Sequence, residues 1–281
     1  MKRIAILGIS MVSYCLTFGQ TGNGDTWEQV KASGSGAIRI LQFEQPKFAA
    51  INDNNQFEGF CVDLLDDFVK YLKEEKQVDL TYDVDRSITD FAKAYQNIKG
   101  GSDGTFGVGA VAINEERKKE ITFTEPYLTL GLVLVSSPKA STITSVSDVS
   151  TAFKGYVAYA EKGTVSEAEI LKIKRDYLPD LTINYVKSHQ VLGLVASNDK
   201  AFAYAGISDL LGSMQKGLKL HKAGNVKGTD VGFILPPNSD WKSVFDEFFL
   251  ANGGYKNSQS FKSSLRKHFG ESGYKLISSM Q

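Results

Sequence analysis

Cysteine is almost absent: Cys15 and Cys61 are the two in 281 residues. A disulfide framework or a four-cysteine metal site is therefore excluded. Histidine is equally scarce, with His189, His221 and His268 scattered along the chain. The sequence has no HExxH helix, phosphate loop or nucleophile elbow, so neither metal nor cofactor is expected. An excess of one charge is missing too. Thirty-two basic and thirty-two acidic residues cancel, and no basic stripe exists to meet nucleic acid. No repeat of solenoid period occurs, and no apolar run reaches the ~20 residues of a membrane span. What is present is 42% hydrophobic residues, enough for sizeable cores in one large domain or two smaller ones.

The chain opens with Lys2 and Arg3, an apolar stretch from Ile4 to Leu16 and small residues around Thr17 to Gly19. This pattern predicts a secretory signal peptide over residues 1–19. Tyr14 stands before Cys15 where a lipid-attachment box carries a small residue, so a soluble product is expected rather than a lipoprotein. Without the signal the net charge is near −2, because two cations and no acid are lost. Export without disulfides fits a bacterial periplasmic protein.

Residues 20–36 are polar and Gly-rich and are expected to form a tether with one short helix near Trp27 to Lys31. Beyond them, period-2 and buried apolar runs predict strands at 37–43, 78–84, 106–112, 130–135, 155–160, 181–186, 202–205 and 229–235. Helical spacing appears at 57–72, 88–98, 164–177, 189–196, 209–216, 241–250 and 258–269. In the first of these, Phe60, Leu64, Leu65, Phe68 and Leu72 share a face, and Cys61 reads as core. Strands alternating with helices give an α/β fold with largely parallel sheets flanked by helices.

Four stretches carry the candidate chemistry. Arg117 lies between two apolar segments, 109–113 and 130–135, in a turn crowded with Glu115, Glu116, Lys118, Lys119 and Glu120. It is either a surface charge or a cation that meets an anion. Thr164-x-x-Glu167, after Gly163, is a capping box that predicts a helix start; the free N–H groups there, with Val165 and Ser166, favour an anion. AFAYAGISDLL at 201–211 reads as a short buried strand followed by a helix that Asp209 would cap. Gln45 and Phe48 follow the first strand, Phe48 serving either the core or a pocket wall.

The phrases FEGFCVDLL at 57–65 and INEERKKEITFTEPY at 113–127 resemble the bacterial extracellular solute-binding proteins of family 3 and the ligand-binding cores of ionotropic glutamate receptors. The resemblance implies a two-lobe periplasmic binding protein-like (type II) fold. Lobe 1 would comprise 37–131 and 233–281, with lobe 2 inserted at 132–232 and two strands crossing between them. Nothing in 136–150 could form a receptor's pore, which excludes a channel. In the family the Arg grips the ligand's carboxylate, so Arg117 takes that role. Ala110 and Ala112 would offer backbone groups, Gly163, Thr164, Val165 and Ser166 the second lobe's amides and hydroxyls, and Phe48 and Gln45 a wall or stacking surface. Two departures weaken amine recognition: Ala112 replaces a hydroxyl, and Ala205 stands where an acid is expected.

The implied function is capture of a small carboxylated solute, an amino acid or relative, by a monomer that docks on an inner-membrane ABC permease. The rivals are a cyclohexadienyl or arogenate dehydratase on the same fold, with Glu44 or Asp209 as general acid, and a ligand-sensing module of a signalling receptor.

Overall fold

The computed structural model describes residues 24–88, 90–212 and 217–278. The expected signal peptide and Cys15 lie outside these residues. The chain runs through α1 (Trp27–Ser33), β1 (Ser35–Gln42), a small hairpin of β2 (Ala50–Ile51) and β3 (Phe57–Glu58), α2 (Phe60–Glu75), β4 (Asp79–Asp85), α3 (Phe91–Lys99) and β5 (Thr105–Ala112). A 3₁₀ turn at Arg117–Lys119 and β6 (Thr122–Phe123) lead into β7 (Leu128–Ser136). Then come α4 (Val149–Ala152), β8 (Val157–Ala160), α5 (Val165–Asp176), β9 (Thr182–Tyr185), α6 (Ser188–Ser197), β10 (Ala201–Gly206) and α7 (Ile207–Gly212). The long β11 (Lys219–Leu235) returns to the first half, which α8 (Trp241–Leu250) and α9 (Gln259–Ser278) complete.

The strands form one sheet in the order β4-β1-β5-β11-β7-β10-β8-β9, with β6 also on β11. Each half keeps a parallel set, β4-β1-β5 and β10-β8-β9. Between them β7 and β11 pair antiparallel from Leu128↔Val231 to Ser136↔Lys219, so both strands belong to both halves. β11 is much longer than the expected 229–235. Its first part, KLHKAGNVKG, is too polar to show a strand period, and its pairing with β7 is what extends it. Register shifts between His221 and Val226, and again before Thr229, bend it. Gly224 lies inside the first shift, where a Cβ would come 2.5 Å from Leu134 Cδ2.

The largest core lies under α2, α8 and α9. Phe60, Leu64, Leu65, Phe68 and Leu72 of α2 are fully buried, and Phe68 stacks on Phe245 of α8 at 3.9 Å between centroids. Burial of each such side chain contributes about 1.5–3 kcal/mol. α2 starts at Phe60 rather than Phe57 because Gly59, with φ 138°, breaks the helix; a Cβ there would meet Phe48 O at 2.3 Å. Cys61 is buried, and burial pushes its thiol up to about 12, so it is chemically inert.

Two sequence expectations are corrected. Residues 24–36 do not form a tether. Thr26 caps α1, and the Asp240 carboxylate accepts the Trp27 and Glu28 N–H groups at 2.9 and 3.0 Å. Trp27 packs on Trp241 at 5.3 Å and Val30 is fully buried. Two apolar side chains in a Gly-rich stretch are enough to dock it. Phe48, expected as a cleft wall, is 1% exposed and packs on Phe60 and Phe269. The C-terminal helix covers it, and it has no face for a ligand. Among the described residues, no helix is long and apolar enough to cross a membrane.

Candidate functional site

In the first half the candidate site is built on the turn after β5. Asn114 Oδ1 accepts the Arg117 N–H at 2.8 Å and starts the 3₁₀ turn. The Arg117 guanidinium then folds back: Nη1 donates to Ala112 O at 2.8 Å. The cation lies 5.1 Å from the Phe91 ring centre and 5.9 Å from that of Tyr95, both on α3. Arg117 is half-buried, and burial lowers its pKa. Among the described residues it makes no ion pair. Glu115 is held by Lys118 at 2.8 Å. Glu120 is held by Lys99 at 2.7 Å and by the Tyr95 hydroxyl, which donates at 2.8 Å. A recess of about 370 Å³ opens here, lined by Phe91, Ala92, Tyr95, Gln96, Glu116, Arg117 and Glu120.

Gln45 and Ala110 also meet, though as partners of each other. The Ala110 N–H donates to Gln45 Oε1 at 2.7 Å, and Gln45 Nε2 donates to Ala110 O at 3.3 Å. Both backbone groups of Ala110 are thus engaged, and a ligand reaching the N–H has to displace the Gln45 amide. The Ala112 carbonyl is occupied by Arg117, so it positions the cation.

The second half is built on α5. Thr164 is the N-cap and its hydroxyl accepts the Glu167 N–H at 3.2 Å. The Glu167 carboxylate reaches past the N-cap to the Gly163 N–H at 2.6 Å, one residue earlier than a capping box requires. That bond, followed by one from Tyr185, holds the Glu167 pKa down. The Val165 and Ser166 N–H groups are the first of the helix and have no partner among the described residues. Thr164 and Ser166 line a small recess with Ala160, Glu161, Val191, Leu192, Tyr204, Ala205 and Asp209. Its volume is about 20 Å³, room for one water.

Asp209 sits in this recess beside Ala205, in the first turn of α7. The residue as a whole is exposed, yet its carboxylate is closely surrounded by protein. Burial raises its pKa, as does the charge of Glu161, while a backbone hydrogen bond from Gly206 works the other way. Asp209 thus brings a carboxyl group to the recess that Ala205 also lines.

Arg117 and the α5 N-terminus line separate recesses with no residue in common. Phe91, Tyr95 and Glu161 were not read from the sequence. The i, i+4 spacing of Phe91 and Tyr95 on one helix was the signal that could have found the first two.

The family model of the bacterial extracellular solute-binding proteins, family 3, matches residues 40–271. A glutamine-binding protein of Geobacillus stearothermophilus is 26% identical over 185 residues, 60% of this chain and 66% of that protein. The ionotropic glutamate receptor kainate 5 of Mus musculus is 30% identical over 94 residues, 32% of this chain. The match spans 10% of that receptor's length. Among solved structures, an ABC-transporter binding component from Wolinella succinogenes complexed with lysine superposes with a TM-score of 0.65 at 15% identity. The superposition covers 85% of this chain and 98% of that one, and the likeness is one of fold.

Proposed function

The chain belongs to the bacterial extracellular solute-binding proteins, family 3, and from that premise we propose that it captures a small carboxylated solute between its two halves. An amino acid is the leading ligand class. The observation that carries this is Arg117: a half-buried cation, poised on two aromatic rings at the edge of a recess, with no carboxylate partner among the described residues. Its planar fork suits a carboxylate bidentately. The Val165 and Ser166 N–H groups and Asp209 would engage the same solute from the second half, Asp209 taking an ammonium group. Ligand contacts to both recesses favour the state in which the halves have closed, since only differential affinity shifts such an equilibrium. The expected setting is the periplasm, with the protein a monomer that delivers its solute to an inner-membrane ABC permease. The proposed lobes are 37–131 with 233–281, and 132–232.

A thermal-shift screen with L-lysine, L-arginine and L-glutamine tests the proposal. A true ligand at a hundred times its Kd stabilises by about 2.7 kcal/mol. Arg117→Met should cut that stabilisation to about 0.3–1.4 kcal/mol at the same ligand concentration. A shift retained in full by that variant would sink the assignment.

A second function, dehydration of a carboxylated ring substrate, is favoured by one feature. Asp209 has a raised pKa in a recess, as a general acid requires. Turnover of prephenate or arogenate, lost in Asp209→Asn, would establish it.

A further inference from the structure

Arg117 has an obvious internal rival for any ligand. Glu120 follows it by three residues, and the Glu120 N–H donates to Arg117 O at 2.9 Å, closing the 3₁₀ turn. Side chains at i and i+3 of such a turn eclipse, so Glu120 is the acid best placed to neutralise Arg117. Both line the same recess. Yet no ion pair joins them. Glu120 Oε1 takes Lys99 Nζ at 2.7 Å, and Oε2 takes the Tyr95 hydroxyl at 2.8 Å. Both carboxylate oxygens are thereby turned toward α3. The same Tyr95 offers its ring to the Arg117 cation at 5.9 Å.

We infer that Tyr95 and Lys99 are positioning residues: they sequester Glu120 so that Arg117 stays open to an external anion. This inference rests on the proposal that Arg117 binds the solute's carboxylate. Tyr95 acts on both charges at once, its hydroxyl restraining the acid and its ring carrying the cation. Lys99 supplies the opposite charge that satisfies Glu120. When both restraints are removed, the eclipsed Glu120 swings to Arg117 and competes with the solute. Glu115 is engaged by Lys118 at 2.8 Å; Glu116 also lines the recess, and rescue by Glu120→Gln tells the two acids apart.

The test uses the full chain and two readouts. The first needs no solute: the rate at which phenylglyoxal labels Arg117, followed by peptide mass spectrometry. Tyr95→Phe with Lys99→Met should slow labelling about three- to fivefold, the size of one partly exposed ion pair. Adding Glu120→Gln should restore the wild-type rate, which a general loss of structure would not do. Lys99→Met alone changes the local charge by the same amount while the Tyr95 hydroxyl still holds Glu120; labelling near the wild-type rate in that variant separates pairing from a change of field. The second readout is calorimetry with L-lysine and L-glutamine as probes, where affinity should fall and recover by the same factors. Unchanged labelling in the double variant, or a slowing that Glu120→Gln fails to reverse, overturns the inference. If Arg117→Met weakens probe binding while labelling ignores Tyr95 and Lys99, the carboxylate assignment survives and the sequestration does not. If labelling follows the expected pattern while probe affinity is indifferent to Arg117→Met, the reverse holds.

Discussion

Replacing Arg117 by Met should separate binding from stability. On the binding side, the variant loses a charge-assisted contact to a carboxylate, worth about 1.5–3 kcal/mol. Affinity should therefore fall roughly 10- to 150-fold. On the stability side the contributions oppose one another. The variant gives up the hydrogen bond to Ala112 O and a cation–π contact of about 0.5–1 kcal/mol. It also removes the cost of keeping an unpaired, half-buried cation from water, the same cost that lowers the Arg117 pKa. Methionine retains an unbranched stem against Phe91, with a sulfur–aromatic contact of about 0.3–1.5 kcal/mol. Unfolding free energy without ligand should thus change by less than about 1 kcal/mol, a surface-like effect for a residue proposed to hold the solute. Calorimetry measures the first quantity and urea denaturation the second. A stability loss beyond about 2 kcal/mol with affinity intact would refute the reasoning and make Arg117 a structural residue.

Asp209→Asn should weaken L-lysine binding while sparing any probe that carries a carboxylate but no amine. Because burial and then the charge of Glu161 raise the Asp209 pKa, that binding should also fade as pH drops, at a higher pH than an ordinary carboxylate would set; a calorimetric profile that fades no earlier than an ordinary carboxylate's contradicts this. His221 is 1% exposed, with Nε2 on Ser136 Oγ at 2.7 Å and Nδ1 unpartnered. Burial and then Lys219 lower its pKa from 6.5. Its neutral form costs nothing above that value, and stability falls as pH drops below it, because the unfolded chain takes up the proton. Urea midpoints should decline from pH 8 to pH 5, and His221→Gln should flatten that slope. Asp240→Ala removes the carboxylate that caps α1 and should cost about 1–2 kcal/mol in urea unfolding; no change would mean the α1 docking is inconsequential. Gly224→Val drives a side chain into Leu134 and should cost about 1–3 kcal/mol by overpacking, with a wild-type midpoint showing that the crossing strands yield.

The parts of the fold legible in the sequence were those with a period. β5 is a buried apolar run and α2 repeats its apolar face over four turns, so both stand out from single-chain patterning. The two-residue strands β2, β3 and β6 have no period to read. Half of β11 is polar because it is a crossing strand, stabilised by backbone pairing with β7 more than by burial. At the candidate site, Arg117 and Thr164 announced themselves through local context: a cation between apolar segments, and a cap before a helix. Phe48 could not be placed this way. An aromatic in a loop is core or wall according to what covers it, and here the cover is Phe269 from the other end of the chain. Asp209 was read as the cap of the next helix and stands instead inside the first turn of α7, which begins at Ile207; that it also lines the recess depends on how β10 and α7 pack, which sequence spacing does not contain.

Strand direction explains how residues of the proposed site can be so far apart in sequence. β1 and β5 run parallel, β5 lies antiparallel to β11, and β11 antiparallel to β7, so β5 points along β7 into the second half. β10 lies antiparallel to β7 and parallel to β8, so those strands point back toward the first half. Gln45, Arg117, the Glu161–Ser166 segment and Asp209 each follow the carboxyl end of one of these strands: β1, β5, β8 and β10. Ligands of open α/β sheets bind at such ends, and here two opposed sets of ends converge on the space between the halves. The anchors are aimed by the sheet and do not hold one another, because the two recesses share no residue. A substitution in one half should therefore leave the other half's geometry intact. Coupling between Arg117 and Asp209 should arise only with a solute bound across both, so their double-mutant cycle in stability should be additive without ligand.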